Sequence, residues 1–179
     1  MTPWFFGYGS LVNRSTHTYP LAQKATLNNW RRTWVRTGLR EVVFLSIHPA
    51  PGHSIDGLIA AVPGADWAAL DAREAAYARI AATDHIAHGS DASDIAAYQV
   101  PTEHQQSDGT HFMLLSYLDV VIQGFLTEFG QEGAEAFFAT TDNWDLPVRD
   151  DRAAPLYARA QTLTRNEQSL VDRLLAQVQ

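Results

Sequence analysis

The chain has 179 residues, of which 46% are hydrophobic and 11% aromatic, enough for one domain with a sizeable core. No segment approaches the ~20 consecutive apolar residues of a membrane span, and a formal charge of −7 argues against nucleic acid or an anionic membrane surface as partner, since phosphate binding needs clustered Lys and Arg. Cysteine is absent, which excludes disulfides, thiol nucleophiles and Cys-bearing zinc sites.

In chain order, the aromatic run at residues 4–11 predicts a buried strand that breaks into a glycine turn at Gly7-Tyr8-Gly9, where backbone N–H groups are left to face a ligand. Residues 12–23, rich in Asn, Ser, Thr, His and Pro, predict a loop. Three extended segments follow at 26–36, 41–47 and 55–62, the last two separated by the turn-forming Pro49-Ala50-Pro51-Gly52. Arg31, Arg32, Arg36 and Arg40 cluster in this region, which suits either one bound carboxylate or a solvated edge strand. A helix is expected over 66–77 with Asp66 as N-cap. Strands near 79–86 and 97–101 come next, then a helix over 113–129 ended by Gly130 and a short helix over 132–140. Trp144, Leu146 and Val148 lie in a polar segment and predict a loop folded over something apolar. Thr164-Arg165-Asn166-Glu167 is a capping box opening the last helix. Strands first and helices last make an α+β arrangement.

Within the 66–77 helix, Trp67, Leu70, Glu74 and Tyr77 are spaced i, i+3, i+7, i+10, so Glu74 points inward with apolar residues. No Lys or Arg stands three or four residues away, and Asp71 and desolvation would both raise its pKa. Such a carboxylate is either a general acid or base, or a buried structural acid satisfied from a distance. Ser10 invites a hydrolase reading, but Gly9-Ser10-Leu11-Val12 lacks the second glycine of a nucleophile elbow. His85 and His88 offer two imidazoles at i, i+3 and read as solvated loop residues, so no metal site and no cofactor are expected. The N-terminus lacks a basic n-region and a small-residue cleavage site, so a cytoplasmic protein is expected.

The ordered set Tyr8-Gly9-Ser10-Leu11, Asn29-Trp30-Arg31-Arg32, Ile55-x-Gly57-Leu58 and Leu70-Asp71-x-Arg73-Glu74-x-x-Tyr77 resembles the gamma-glutamylcyclotransferase-like superfamily. Tyr117, Leu118 and Gly124 are similar to its tyrosine-bearing helix. The chain departs from the family pattern in Ala75 after the glutamate and in Phe112 to Ser116, which lack a Pro-Ser pair. The resemblance implies one domain over 1–179, with a core over about 4–130 and a C-terminal helical extension over about 131–179 that has no counterpart. It implies a small mixed-sheet β-barrel with flanking helices and a pocket at its mouth. It further implies cyclisation of a small γ-glutamyl substrate to 5-oxoproline, with Glu74 as catalytic acid–base and Tyr8, Gly9, Ser10, Leu11 and Tyr117 binding substrate. Tyr8 is equally open to a structural role, and Tyr117 is assigned by resemblance alone, the alternative being a core tyrosine. A non-catalytic ligand-binding module on the same scaffold is the competing reading.

Overall fold

A computed structural model describes residues 2–179. Ten strands and three α-helices follow in the order β1 (Trp4–Gly7), β2 (Gln23–Thr37), β3 (Arg40–Ala61), α1 (Ala68–Arg73), β4 (Ala78–Ala81), β5 (Ile86–His88), β6 (Ile95–Gln99), β7 (Gln105–Gln106), β8 (Met113–Leu114), α2 (Leu115–Ala139), β9 (Thr141–Asp142), β10 (Val148–Arg149) and α3 (Arg165–Val178). The main sheet runs β4-β6-β1-β3-β2-β5, with β7 and β9 also on β2, and curls into a half-barrel. It is mixed: β1 pairs antiparallel with β3 and parallel with β6. The architecture is α+β, a curled mixed sheet with flanking helices, as the resemblance implied.

Strand β1 is buried on both faces, which explains its unbroken aromatic character. Alternation sends Phe6 and Tyr8 into the main core and Phe5 into a second cluster with Leu11, Leu70 and Tyr98. The chain then leaves the sheet through a 3₁₀ turn at Ser10–Val12 rather than continuing as strand to residue 11.

The expected turn at Pro49 to Gly52 does not divide two strands. Strand β3 passes through it unbroken and pairs with β2 from Gln23↔Ile59 to Thr37↔Arg40. The irregular residues are absorbed as a bulge on β3: residues 50–53 stand opposite the single β2 residue Asn29, which adopts φ 65° and whose Oδ1 accepts the Gly52 N–H at 3.0 Å. The helix expected over 66–77 is also shorter, ending at Arg73. Asp66 Oδ1 accepts the Ala68 N–H at 3.2 Å, close to the capping role expected of it.

Helix α2 is broken at Gly130, whose φ of 72° only glycine adopts without strain, so the expected division into two helical pieces stands. After it, Trp144 stacks on Phe138 at 4.7 Å and meets Trp34 edge-on, and Leu146 is buried beside them, which is what the 141–155 segment folds over. The Thr164–Glu167 capping box is formed reciprocally at 3.3 and 2.6 Å. Among the described residues no helix is long and apolar enough to cross a membrane.

Candidate active site

The turn after β1, the end of α1 and the start of α2 meet at one end of the curled sheet. Between them lies a cavity of about 500 Å³ that continues inward as a narrow recess of about 30 Å³. Tyr8, Gly9, Ser10, Leu11, Glu74 and Tyr117, singled out from sequence, all line the recess. Glu74 is the sole acid lining either space among the described residues, and no histidine lines them.

Glu74 is reached differently from the way its helical spacing suggested. It sits one residue past the last turn of α1 with φ −102° and ψ 32°, its N–H bonded to the Leu70 carbonyl at 2.9 Å. Leaving the helix there lets consecutive side chains converge, and Arg73 Nε pairs with Glu74 Oε1 at 3.1 Å. The carboxylate therefore has a cation, contrary to the expectation drawn from i±3 and i±4 neighbours, which holds only while the helix continues. Asp71 does not act on it either: it accepts the Tyr98 hydroxyl at 2.5 Å and pairs with Arg79 at 3.1 Å. Burial raises the Glu74 pKa above the usual carboxylate value, and Arg73 and Arg159 pull it partly back.

Arg73, quoted within the motif but given no role, ties the site together. Its Nη1 donates to the Thr16 carbonyl at 3.0 Å, and its Nη2 to Thr16 Oγ1 at 3.0 Å and Ser10 Oγ at 3.2 Å. One guanidinium thus fixes both the acid and the turn facing it. Ser10 Oγ is held by this arginine with no histidine lining the site, so the nucleophile reading of Ser10 lacks its base.

The glycine turn is held from behind by Arg32, for which the sequence offered either a bound carboxylate or a solvated edge strand. Arg32 is 1% exposed, donates to the Tyr8 carbonyl at 2.8 Å, to the Asp56 carbonyl and to Thr140 Oγ1 at 2.8 Å, and lies over the paired Phe125 and Phe137 rings. The expected arginine cluster is dispersed: Arg31 pairs with Asp142 at 2.8 Å, and of the four Arg40 alone lines the cavity. At Gly9 a Cβ would stand 2.9 Å from Leu45 Cδ2 and 3.0 Å from the Tyr117 hydroxyl, so the turn can lie this close to α2 only without a side chain there.

Four tyrosines line the recess, Tyr8, Tyr77, Tyr98 and Tyr117, and burial raises the pKa of each, so all stay neutral. Tyr8 donates to the Tyr98 carbonyl at 2.5 Å and Tyr77 to the Leu45 carbonyl at 2.9 Å, so both hydroxyls are committed to backbone. The Tyr117 hydroxyl instead lies against the Ser10 N–H. Tyr157 packs edge-on against Tyr117 at 5.0 Å and, with Leu156 and Arg159, walls the larger cavity. These three come from a segment with no periodicity or motif, and no sequence signal marked them. Among the described residues no group of three or more His, Asp or Glu is placed to hold a metal ion; His85 meets Trp30 edge-on and His88 contacts Ser90.

A family model described as "Gamma-glutamyl cyclotransferase, AIG2-like" matches residues 5–117. Among curated proteins no sequence match is found. Among solved structures, the chain is similar to a gamma-glutamyl cyclotransferase at 15% identity and TM-score 0.59, covering 97% of this chain and 99% of that one. It is also similar to an uncharacterized protein from Homo sapiens at 15% identity and TM-score 0.62, covering 96% and 98%. A third, YkqA from Bacillus subtilis, matches at 13% identity and TM-score 0.59, over 79% of this chain and 56% of that longer one. At these identities the likeness is one of fold.

Proposed function

The chain belongs to the gamma-glutamyl cyclotransferase, AIG2-like family, and from that premise we propose that it cyclises a γ-glutamyl group to 5-oxoproline with release of an amine or amino acid. The observation that carries this is Glu74: a single partly buried acid at the junction of recess and cavity, opposite a glycine turn and gripped by the arginine that also grips that turn.

In this reaction the nucleophile belongs to the substrate. The α-ammonium of the γ-glutamyl group first gives up one proton to solvent, and the neutral amine attacks its own γ-carbonyl carbon; a C–N bond forms, the carbonyl electron pair moves to oxygen, and a second amine proton passes to the Glu74 carboxylate. The oxyanion collapses, the original amide C–N bond breaks, and Glu74 returns the proton to the departing nitrogen. Atoms and charge balance without hydrolytic water. Holding the glutamyl chain bent supplies much of the acceleration, since a five-membered ring closure has a high effective molarity once oriented. A carboxylate raised toward neutrality by burial suits both accepting and returning the proton. The N–H groups at the start of the Ser10–Val12 turn suit the oxyanion, and the neutral Tyr117 hydroxyl suits a second donor beside them.

Incubation of the protein with a panel of γ-glutamyl amino acids, peptides and amines, followed by mass spectrometry for 5-oxoproline, tests the proposal. Product from at least one class is expected. Binding of γ-glutamyl compounds without product would instead favour a ligand-binding module.

A further inference from the structure

The larger cavity differs from the recess in charge and in exposure. Three arginines line it, Arg40, Arg73 and Arg159, against the single acid Glu74. Arg73 is spent on Glu74. Arg40 and Arg159 form no ion pair among the described residues, in a chain whose net charge is −7. Two guanidinium groups outside any ion pair in one cavity, one from the start of β3 and one from the C-terminal segment, are complementary to a ligand with two carboxylates. Apart from Ser10 and the tyrosines Tyr77, Tyr117 and Tyr157, the rest of the wall is apolar, and two of its residues stand exposed: Leu39 at 56%, on the tip of the β2–β3 hairpin, and Leu156 at 55%, on the C-terminal segment.

We propose that the released group is a bulky apolar α-amino acid, its side chain held between Leu39 and Leu156 and its carboxylate read by Arg40. This rests on the cyclotransferase reading, and it follows from charge counting. A γ-glutamyl amino acid brings one ammonium and two carboxylates; the ammonium goes to Glu74, and the carboxylates match the two free arginines. A γ-glutamyl amine brings only one carboxylate and leaves a guanidinium unmatched. The glutamyl carboxylate shares a carbon with the amine delivered to Glu74, so it falls to the side of Arg159, which is electrostatically coupled to Glu74. Arg40 lies over the Phe44 ring at 3.9 Å, next in sequence to Leu39, and so combines a carboxylate donor with an apolar surface at the outer end.

The test compares three substrates that share the glutamyl part: γ-glutamyl-leucine, γ-glutamyl-isopentylamine, which lacks only the leucine carboxylate, and γ-glutamyl-glycine, which lacks only the side chain. The parent enzyme should prefer leucine over each of the others by about tenfold or more in kcat/KM, the order expected for loss of one charge-assisted contact or of a buried four-carbon side chain. Arg40→Gln, in a variant with parental circular dichroism and melting temperature, should bring the leucine-to-isopentylamine ratio toward one. Leu156→Ser should do the same to the leucine-to-glycine ratio. Equal or better turnover of isopentylamine by the parent, or an unchanged ratio in folded Arg40→Gln, overturns this assignment while the cyclotransferase reading stands. No 5-oxoproline from any of the wider γ-glutamyl panel overturns both.

Discussion

The recess and the outer cavity share a wall yet are built on opposite plans. Around the recess nearly every polar group is committed: Arg32 to the Tyr8 and Asp56 carbonyls, Arg73 to Thr16, Ser10 and Glu74, Tyr8 and Tyr77 to backbone. The outer cavity leaves two guanidinium groups free and two leucines exposed, on a hairpin tip and a C-terminal segment. The recess falls within residues 5–117, which the family model matches, whereas Leu156, Tyr157 and Arg159 lie beyond it. A dense hydrogen-bond network holds reacting groups to sub-ångström tolerance, while a sparsely bonded rim can vary without disturbing the chemistry beneath.

Breaking each region separately sharpens that contrast. The largest effect is expected from Glu74→Gln, which should lower turnover by about 10²- to 10⁴-fold, the span for loss of a positioned general base. Its melting temperature should stay within about 4 °C of the parent, because the side chain keeps its volume and Arg73 keeps Thr16 and Ser10. Parental turnover in a destabilised mutant would reduce Glu74 to a structural ion-pair partner.

Arg32→Met should act on stability instead, costing about 2–5 kcal/mol in denaturant unfolding, because buried carbonyls of Tyr8 and Asp56 lose their donor. An unchanged midpoint would show that the recess does not depend on this buried guanidinium. Gly9→Val should weaken 5-oxoproline binding in calorimetry by about tenfold or more, since its Cβ would press on Leu45 and Tyr117 at 2.9 and 3.0 Å.

On the outer side, Asp151 accepts Ser116 N–H at 2.8 Å, Ser116 Oγ–H at 2.6 Å and Leu156 N–H at 2.8 Å, which pins the segment carrying Leu156 and Tyr157 to the start of α2. Asp151→Ala should cost about 1–3 kcal/mol and raise KM more than it lowers kcat, because the wall moves while the recess stays. Equal losses in kcat and KM in the opposite sense would contradict the division of the site into two parts.

The smallest effect concerns pH. Burial raises the Glu74 pKa, so the folded state holds its proton to higher pH than the unfolded chain does. The acidic limb of kcat/KM should therefore fall above the usual glutamate value and vanish in Glu74→Gln, while any stability cost of ionising Glu74 appears as pH rises through that same window. For Asp151 burial acts upward, but the three donated hydrogen bonds outweigh it and hold the pKa low. Its contribution is present above the ordinary aspartate value and lost as pH falls through the depressed one.

Local chemistry was legible in the sequence wherever a few adjacent residues decide the outcome. The buried aromatic strand, the glycine turn behind it, the break at Gly130 and the Thr164–Glu167 capping box depend on φ preferences and hydrogen bonds within a few residues, and each forms, the strand stopping at Gly7 instead of residue 11. The inward direction of Glu74 was legible too, but not its geometry: helical spacing assumes the helix goes on, and α1 ends one residue before it, which is what brings Arg73 to its side. Three features were decided only by tertiary structure. Strand β3 runs through Pro49 to Gly52 as a bulge because Asn29, more than twenty residues before Gly52, faces it from β2 and accepts the Gly52 N–H. Arg32 is buried because carbonyls from the turn after β1 and from β3, and two phenylalanines of α2, surround it. Leu156, Tyr157 and Arg159 reach the cavity because Asp151 ties their segment to α2, and contacts across such sequence distances leave no periodicity to read.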